Sequence, residues 1–169
     1  MGQRFFFCPK CGARLEYRPQ DGRPRLTCLG CRYIFYENPA VGVAAIVLDP
    51  EQRLLLGRRT TTYRGRWCIP CGYVEYDEDV CAAVVREFRE ETGLEIAVTG
   101  VYAVHSNFHN PEKHSVGIWF QADVIGGRLQ PGDDLDAVGY FPLDDLPPLA
   151  FETDRLVISR LRAEFEDHY

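Results

Sequence analysis

The sequence predicts an α/β or α+β sandwich, in which a mixed sheet lies between helices, preceded by a small cysteine-rich segment. Three observations support this class: a nearly all-apolar run of strand length, several further strand-like segments, and a periodic helix closed by a glycine. In chain order, the predicted elements are strands at residues 41–48 and 53–57, a helix at 77–92 ending at Gly93, strands at about 94–106, 115–125 and 137–142, and a helix at about 152–165.

Each part of this arrangement has a local reason. Residues 5–36 are rich in turns and punctuated by cysteines, and Asn38-Pro39 reads as a short connector. Strands placed around a central helix, with another helix at the end, indicate a layered α/β fold. The last helix is predicted from apolar residues at roughly helical spacing: Leu156, Ile158, Leu161 and Phe165. We therefore expect two domains, residues 1–37 and 38–169.

Composition limits the classes of function. The chain of 169 residues is 46% hydrophobic, which is enough for a packed core, and its formal net charge is -6. An acidic chain argues against non-specific nucleic-acid binding, and no run of 18 apolar residues predicts a membrane span. Six of the seven cysteines lie in CxxC pairs, a pattern typical of a reducing compartment. We expect a cytoplasmic protein with no nucleic-acid or membrane partner.

The first candidate site is a set of four cysteines near the N-terminus. Two CxxC pairs are separated by sixteen residues, and their members are Cys8, Cys11, Cys28 and Cys31. Zinc favours four thiolate or imidazole ligands in a tetrahedron, and a site filled entirely by cysteine leaves no position for water or substrate. The spacing therefore predicts a structural Zn²⁺ ribbon. Two disulfides or a redox pair are the alternatives that the spacing leaves open.

Three cysteines remain outside that motif. Cys68 and Cys71 form another CxxC pair, and Cys81 stands alone. A second metal site or a redox switch is one interpretation of the pair. Small core side chains are the interpretation that we favour, because Cys81 is the single cysteine left to partner them.

The second candidate site is an acidic edge of the predicted helix at 77–92. Glu87, Glu90 and Glu91 fall on one side at helical spacing. Carboxylates crowded together repel one another, and a cation relieves the repulsion. Carboxylate oxygens are hard ligands, so the pattern favours Mg²⁺ or Mn²⁺, which commonly share their coordination shell with phosphate oxygens. A solvated acidic face is the alternative, and the glycine-containing loop before the helix argues against it.

The whole segment from Gly72 to Leu94 resembles the signature of the Nudix hydrolases. Every defining position is filled over 23 residues: Gly72, Glu78, Arg86, Glu87, Phe88, Glu90, Glu91, Gly93 and Leu94. Flanking segments from about residue 38 to 162 are similar to that family as well. With the cysteine ribbon in front, the chain resembles the small zinc-ribbon Nudix proteins and the larger NADH diphosphatases.

This resemblance implies a Nudix sandwich that hydrolyses a nucleoside diphosphate linked to another group. It also implies that Glu87, Glu90 and Glu91 coordinate the metals, with the Gly72 carbonyl as a further ligand. Glu78 and Arg86 would brace the loop against the helix. Two positions depart from the usual pattern, which has Gly or Ala in place of Cys71 and a Gly-Glu pair in place of Asp77-Glu78.

The remaining catalytic and substrate-binding residues are less sharply indicated. The general base is either a helix glutamate or an acid from the cluster Asp133, Asp134 and Asp136, among which we favour Asp134. Arginines before the signature are candidates for clamping a phosphate, and several aromatic residues are candidates for stacking on a ring. The predicted substrate contacts are Arg58, Arg59, Trp67 and Gly72, and further stacking candidates are Tyr63, Phe108 and Trp119.

The expected substrate is inferred from the segment that follows the signature. NADH diphosphatases carry a Ser-Gln-Pro-Trp-Pro-Phe-Pro array there, whereas residues 104–111 of this chain do not match it. We therefore expect ADP-ribose or FAD as substrate, with NADH as the alternative. A Nudix-fold regulator that binds nucleotides or nucleic acid without hydrolysis is an alternative of a different class. Family resemblance also suggests a homodimer.

Overall fold

The computed structural model describes residues 3–166 and separates into two compact units, Met1–Asn38 and Pro39–Tyr169. In the first unit, three strands form an antiparallel sheet in the order β1-β2-β3: β1 Leu15–Gln20, β2 Arg23–Cys28 and β3 Ile34–Phe35. Asp21 and Gly22 form the two-residue hairpin turn, and both have positive φ, as a type I′ turn requires. Cys8, Leu15, Leu26 and Cys28 are its buried centre.

The second unit contains two sheets and two helices. Its elements are β4 Ala40–Ile46, β5 Leu54–Arg59, β6 Trp67–Cys68, β7 Cys71–Tyr73, α1 Val80–Thr92, β8 Leu94–Asn107, β9 Ser115–Gly127, β10 Leu135–Phe141 and α2 Glu152–Glu166. One sheet has the order β7-β4-β9-β8, in which β4 and β9 are parallel and the other pairs are antiparallel. The other sheet is antiparallel, in the order β10-β5-β6.

The mixed sheet lies between the two helices because β4 is buried on both faces. Val43 and Ala45 of β4 share a core with Ala83 and Phe88 of α1. The alternate residues of the strand, Ala44 and Ile46, share a second core with Val157, Ile158 and Leu161 of α2. Successive side chains of a strand point to opposite faces, so one apolar run serves both layers. The predicted fold class, a mixed sheet between helices preceded by a cysteine ribbon, is confirmed.

Helix α1 begins three residues later than the periodicity predicts. The side chain of Asp79 accepts hydrogen bonds from the N–H groups of Cys81 and Ala82, and this capping fixes the helix start at Val80. At the other end, Gly93 has φ 71° and its N–H donates to the carbonyl of Arg89. The predicted glycine end of the helix is confirmed. Among residues 3–166, no helix is long and apolar enough to span a membrane.

Candidate active site

The three predicted glutamate ligands lie on the C-terminal half of α1 and differ sharply in burial. Glu91 is 1% exposed, and the N–H of Cys71 donates to its Oε2 at 2.7 Å. The side chain of Glu87 is 14% exposed, and that of Glu90 is 48% exposed. Burial therefore varies along the predicted acidic edge: Glu91 is the most buried of the three side chains and Glu90 is the most exposed.

Gly72 leaves the space that the Glu87 carboxylate occupies. It lies on β7 opposite Val43, and a Cβ added to it would lie 2.0 Å from Cδ of Glu87 and 2.1 Å from its Oε2. No side-chain carbon tolerates such an approach to another heavy atom. The strand backbone thus passes directly against the carboxylate, which explains why glycine is needed at this position.

Arg86 braces this arrangement. Its guanidinium donates two hydrogen bonds to the two oxygens of Glu78, both at 2.8 Å, and contacts the carbonyl of Tyr73 at 3.2 Å. The same group donates to Glu87 at 2.8 Å and to Glu90 at 3.2 Å. The Arg86 guanidinium lowers the pKa of Glu78, and its fork fixes the direction of Glu87.

The loop before β10 brings a second pair of acids to the helix. The N–H of Gly132 donates to the carbonyl of Glu91 at 3.0 Å, and a Cβ on Gly132 would lie 2.3 Å from the carbonyl oxygen of Glu90. Because the backbone at Gly132 packs directly on the end of α1, the next two residues, Asp133 and Asp134, lie close to that helix. One carboxylate oxygen each from Glu91, Asp133 and Asp134 lies within 4.8 Å of the others.

Cationic side chains of the chain balance these acids only in part. Asp134 Oδ2 accepts hydrogen bonds from Arg59 Nη2 at 2.8 Å and from Thr61 at 3.2 Å, whereas Asp134 Oδ1 is buried with no hydrogen-bond partner. Burial, together with the neighbouring Asp134 carboxylate, raises the pKa of Glu91 well above its ordinary value. Burial also raises the pKa of Glu87. A divalent cation bound by the helix carboxylates would relieve this repulsion, so the donor set fits Mg²⁺ or Mn²⁺.

The carboxylates open onto a cavity of about 450 Å³. Its wall includes Glu87, Glu91, Asp133 and Asp134 on one side and residues 42–44 of β4 on another. This volume lies within the ordinary range for small-molecule sites, about 300–1,000 Å³. The cavity can therefore hold a nucleotide-sized ligand next to the acids.

The predicted substrate contacts fall in two places. Arg59 and Gly72 line the cavity, and the side chain of Arg59 is 11% exposed. Arg58 pairs with Asp136 at 2.6 Å, and its guanidinium lies over the ring of Trp67. Trp67 packs edge-on against Phe141 with ring centroids 4.8 Å apart. The geometry accordingly gives Arg59 and Gly72 direct access to a ligand in the cavity.

Sequence reasoning missed Asp154, which also lines the cavity. Asp154 is 2% exposed, and it accepts hydrogen bonds from the N–H of Ile69 at 3.1 Å and from Trp119 Nε1 at 3.2 Å. Burial raises its pKa to about 7. A signal existed: Asp154 lies three, four and seven residues before the apolar positions Val157, Ile158 and Leu161. A carboxylate on the apolar stripe of a helix is rarely solvated.

The third CxxC pair lies against the same acids. Cys68 is fully buried, and Arg59 Nη1 lies 3.8 Å from its sulfur. The Cys71 sulfur contacts that of Cys68, and this contact, burial and the charge of Glu91 raise the pKa of the Cys71 thiol well above its ordinary value. Both cysteines are free thiols packed into the unit, in line with their interpretation as core residues.

The four ribbon cysteines converge in the first unit. Their sulfur atoms all lie within 4.8 Å of one another, with Cys8 to Cys31 at 3.8 Å and Cys11 to Cys28 at 3.4 Å. All four are free thiols, so the two-disulfide alternative is not what the structure contains. The N–H of Cys31 helps to lower the pKa of Cys28 to about 6, which favours a thiolate ligand. The cluster fits a zinc ribbon.

Comparison with known families matches both units. Residues 38–161 match the NUDIX domain, and residues 7–37 match the zinc-ribbon family described as Nudix N-terminal. A crystal structure of a NUDIX hydrolase from Nitrosomonas europaea superposes with a TM-score of 0.81 at 31% sequence identity, and the match covers 94% of this chain and 90% of that one. Fold and site together define a Nudix hydrolase.

Curated relatives agree with this class. The chain is 39% identical over 132 residues to an ADP-ribose pyrophosphatase of Methanocaldococcus jannaschii, covering 78% of each protein. It is 34% identical over 145 residues to the NAD-capped RNA hydrolase NudC of Pseudomonas aeruginosa, covering 85% of this chain and 50% of NudC. The chain therefore spans about half the length of the NudC relatives. It belongs to the Nudix family, whose hydrolases use divalent metals.

Proposed function

We propose that the chain hydrolyses the diphosphate linkage of a nucleoside-diphosphate derivative, with ADP-ribose as the preferred substrate and FAD as the second. One observation carries the proposal. Glu91 and Asp134 are held close together, one oxygen of Asp134 has no hydrogen-bond partner, and both residues line a cavity of about 450 Å³. A chain maintains such repulsion where a cation and a phosphate group bind.

Mg²⁺ or Mn²⁺ would be held by the oxygens of Glu87, Glu90 and Glu91, with the carbonyl of Gly72 as a further ligand. When bound, the ion supplies Lewis acidity toward the diphosphate and makes water a stronger nucleophile at neutral pH. Glu87 is already directed by Arg86, and Glu91 by the N–H of Cys71. These contacts hold the ligands in position before substrate arrives.

Asp134 is the general base of this proposal. Arg59 and Thr61 fix its Oδ2, so its buried Oδ1 remains available to accept a proton from the attacking water. Arg59 is the phosphate-binding side chain, because its largely buried guanidinium already faces the cavity beside Asp134. Attack of water on ADP-ribose would release AMP and ribose 5-phosphate.

The relatives favour ADP-ribose over the alternatives. The relative from Methanocaldococcus jannaschii is named an ADP-ribose pyrophosphatase, and its match covers 78% of both chains. The NudC relatives are named hydrolases of NAD-capped RNA. Hydrolysis of NADH or of NAD-capped RNA is therefore the second candidate function. FAD remains a proposal from the family resemblance.

A hydrolysis assay tests the proposal. ADP-ribose, FAD, NADH and a short NAD-capped RNA are incubated with the full chain and Mg²⁺ or Mn²⁺, and release of AMP or of the uncapped RNA is measured. Metal-dependent turnover highest for ADP-ribose supports the proposal, whereas highest turnover of NADH or capped RNA replaces the substrate. No turnover of any, with nucleotide binding retained, favours the non-catalytic regulator. Glu95→Gln changes an exposed glutamate on β8, outside the site, and is the matched control for Glu91→Gln and Glu87→Gln.

The other proposals concern the whole chain. We propose Zn²⁺ as the ion of the ribbon at residues 1–37, with residues 38–169 as the hydrolase domain, and a homodimer in solution. Light scattering of the purified chain would distinguish a dimer from a monomer of 19.3 kDa. Cytoplasmic localisation stays a prediction from cysteine usage.

A further inference from the structure

Three aromatic rings from separate segments contact one another, and two of them, His109 and Phe151, line the cavity. Tyr63 lies between β5 and β6, His109 between β8 and β9, and Phe151 immediately before α2. Ring centroids are 5.9 Å apart for Tyr63 and His109, 5.6 Å for Tyr63 and Phe151, and 5.4 Å for His109 and Phe151. We call these three residues the aromatic cluster.

Arg59 connects the aromatic cluster to the carboxylates. Its guanidinium lies 5.2 Å over the ring of Phe151, and its Nη2 lies 2.8 Å from Asp134. His109 and Phe151 line the same cavity as Glu91. A single arginine side chain therefore contacts both an acid and a ring of the aromatic cluster, so a ligand with its diphosphate at the acids can reach that cluster.

The rings remain accessible rather than forming a closed core. Tyr63 is 39% exposed, His109 is exposed, and Phe151 is half-buried. Tyr63 has φ 60°, a left-handed conformation that is uncommon for a residue other than glycine or asparagine. Backbone strain of this kind clusters at ligand-binding sites.

The chemistry of the aromatic cluster and its neighbours suits an uncharged heteroaromatic ring. Burial, and then the charge of Arg59, lowers the pKa of His109, which favours the neutral imidazole. Thr62, Asn107 and Asn110 line the cavity beside the cluster and offer hydrogen-bonding groups for a ring edge.

The other aromatic candidates have other partners. Trp67 packs on Phe141. Trp119 also lines the cavity, but it is only 5% exposed and its indole N–H donates to Asp154. Phe108 is 66% exposed and contacts His114, and it is separate from the residues that line the cavity. Among the described residues, the aromatic cluster is thus a group of three mutually contacting rings that reaches the cavity and stays partly open to solvent.

We propose that the aromatic cluster binds the planar heteroaromatic ring of the substrate, adenine in ADP-ribose or either ring system in FAD, while Arg59 holds the diphosphate between ring and metal. This inference rests on the proposed function for its choice of ligand. It assigns substrate preference to a set of residues outside the Nudix signature.

Binding of two products tests the inference without requiring turnover. AMP carries the ring and ribose 5-phosphate does not, so the ratio of their dissociation constants isolates the ring. Calorimetry of the zinc-loaded full chain with Mg²⁺ should give tighter binding of AMP. Leucine keeps bulk but removes the ring, so Phe151→Leu, His109→Leu and Tyr63→Leu should each weaken AMP about 5- to 100-fold, as loss of base stacking does. Affinity for ribose 5-phosphate should not change.

Two further variants keep the test selective. Phe108→Leu is the matched control, because it removes an exposed ring outside the cavity and should leave the ratio unchanged. Tyr63→Phe keeps the ring and should retain the preference for AMP. A native chain with no preference for AMP overturns the inference, and so do leucine variants that keep the preference or lose both ligands equally.

The outcome is separable from that of the proposed function. If the chain hydrolyses ADP-ribose but shows no ring-dependent binding, this inference alone fails. If it binds AMP through the aromatic cluster and hydrolyses none of the dinucleotides, the proposed hydrolytic function fails and the ring site stands.

Discussion

Glu91 combines two properties that oppose each other in a stable fold. It is 1% exposed, and its carboxylate lies within 4.8 Å of oxygens on Asp133 and Asp134. Burying a charge beside other charges of the same sign destabilises the folded state. The residue is therefore better explained by a bound cation than by packing.

Glu91→Gln should separate activity from stability. The amide keeps the shape and removes the ligand charge, so hydrolysis of ADP-ribose should fall about 100-fold or more, the scale of several kcal/mol of lost transition-state stabilisation. In the absence of metal, the free energy of unfolding should hold or rise by about 1 kcal/mol, because the buried repulsion is relieved. Steady-state kinetics and urea unfolding measure the two. Full activity in both Glu91→Gln and Glu87→Gln would refute the metal assignment.

Gly72→Ala tests the close approach of β7 to the helix. The added methyl group would lie 2.0 Å from Cδ of Glu87, so the carboxylate has to move. A displacement of about 1 Å at a catalytic group can cost about 100-fold in rate, and we expect a loss of that order. Gly100→Ala is the control, because its Cβ would have nothing within 4 Å. Equal rates for both variants would show that the Glu87 position does not matter.

At the scale of elements, α2 contributes more than an apolar face. Its first turn carries Asp154, which binds the N–H of Ile69 between β6 and β7 and the indole of Trp119 on β9. Ile69 is three residues before Gly72, so this carboxylate anchors the segment that holds Glu87 and Glu91 in place. Ionisation of the Asp154 carboxylate destabilises the folded chain, because this side chain is only 2% exposed and its charge is poorly solvated.

The ionisation of Asp154 predicts a pH dependence of stability. Its pKa rises from 3.8 to about 7 on folding, so the folded chain binds the proton more tightly. Stability should therefore be greatest below about pH 4 with respect to this group, fall as pH rises, and level off above about pH 7, a change on the order of 4 kcal/mol.

Asp154→Asn should flatten that slope between pH 4 and 7. The amide does not ionise, although it accepts one fewer hydrogen bond. Urea unfolding of the metal-free chain at several pH values measures the slope, and the difference between the native chain and the variant isolates this residue from Glu91. Parallel slopes in the two proteins would contradict a raised pKa for Asp154.

At the scale of the whole molecule, two units are stabilised by different means. The second has two apolar cores that α1 and α2 close, whereas the first has a centre of four buried residues, two of them cysteines. A segment of fewer than about 40 residues buries too little apolar surface to fold without a staple. Coordination by four thiolates supplies one.

Cys28→Ser should release the zinc and unfold the first unit. The zinc content measured by elemental analysis should fall from about one ion per chain to near zero, because a structural site needs all four ligands. The control Cys81→Ser changes an exposed thiol outside the cluster and should keep its zinc. Zinc retained at full occupancy by Cys28→Ser would exclude the four-cysteine site.

Much of this protein follows from local sequence. The apolar run of β4, the Gly93 end of α1 and the spacing of the ribbon cysteines are short-range features, and neighbouring residues fix them through backbone geometry. The Asp79 cap is local as well, but periodicity places the helix start at residue 77 and misses it. The glutamate edge of α1 is likewise a consequence of helical period, so the fold class and the acidic edge are readable without tertiary structure.

The other half of the site was decided by tertiary structure. Asp134 reaches Glu91 because Gly132 packs onto the end of α1, Arg59 reaches Asp134 from β5, and Phe151 meets Tyr63 and His109 from three distant segments. Asp154 is buried because α2 closes over β9. These pairings depend on long-range contacts, which periodicity does not encode. Sequence by itself determined the helix and its carboxylates, while the packing of loops against that helix determined what those carboxylates face.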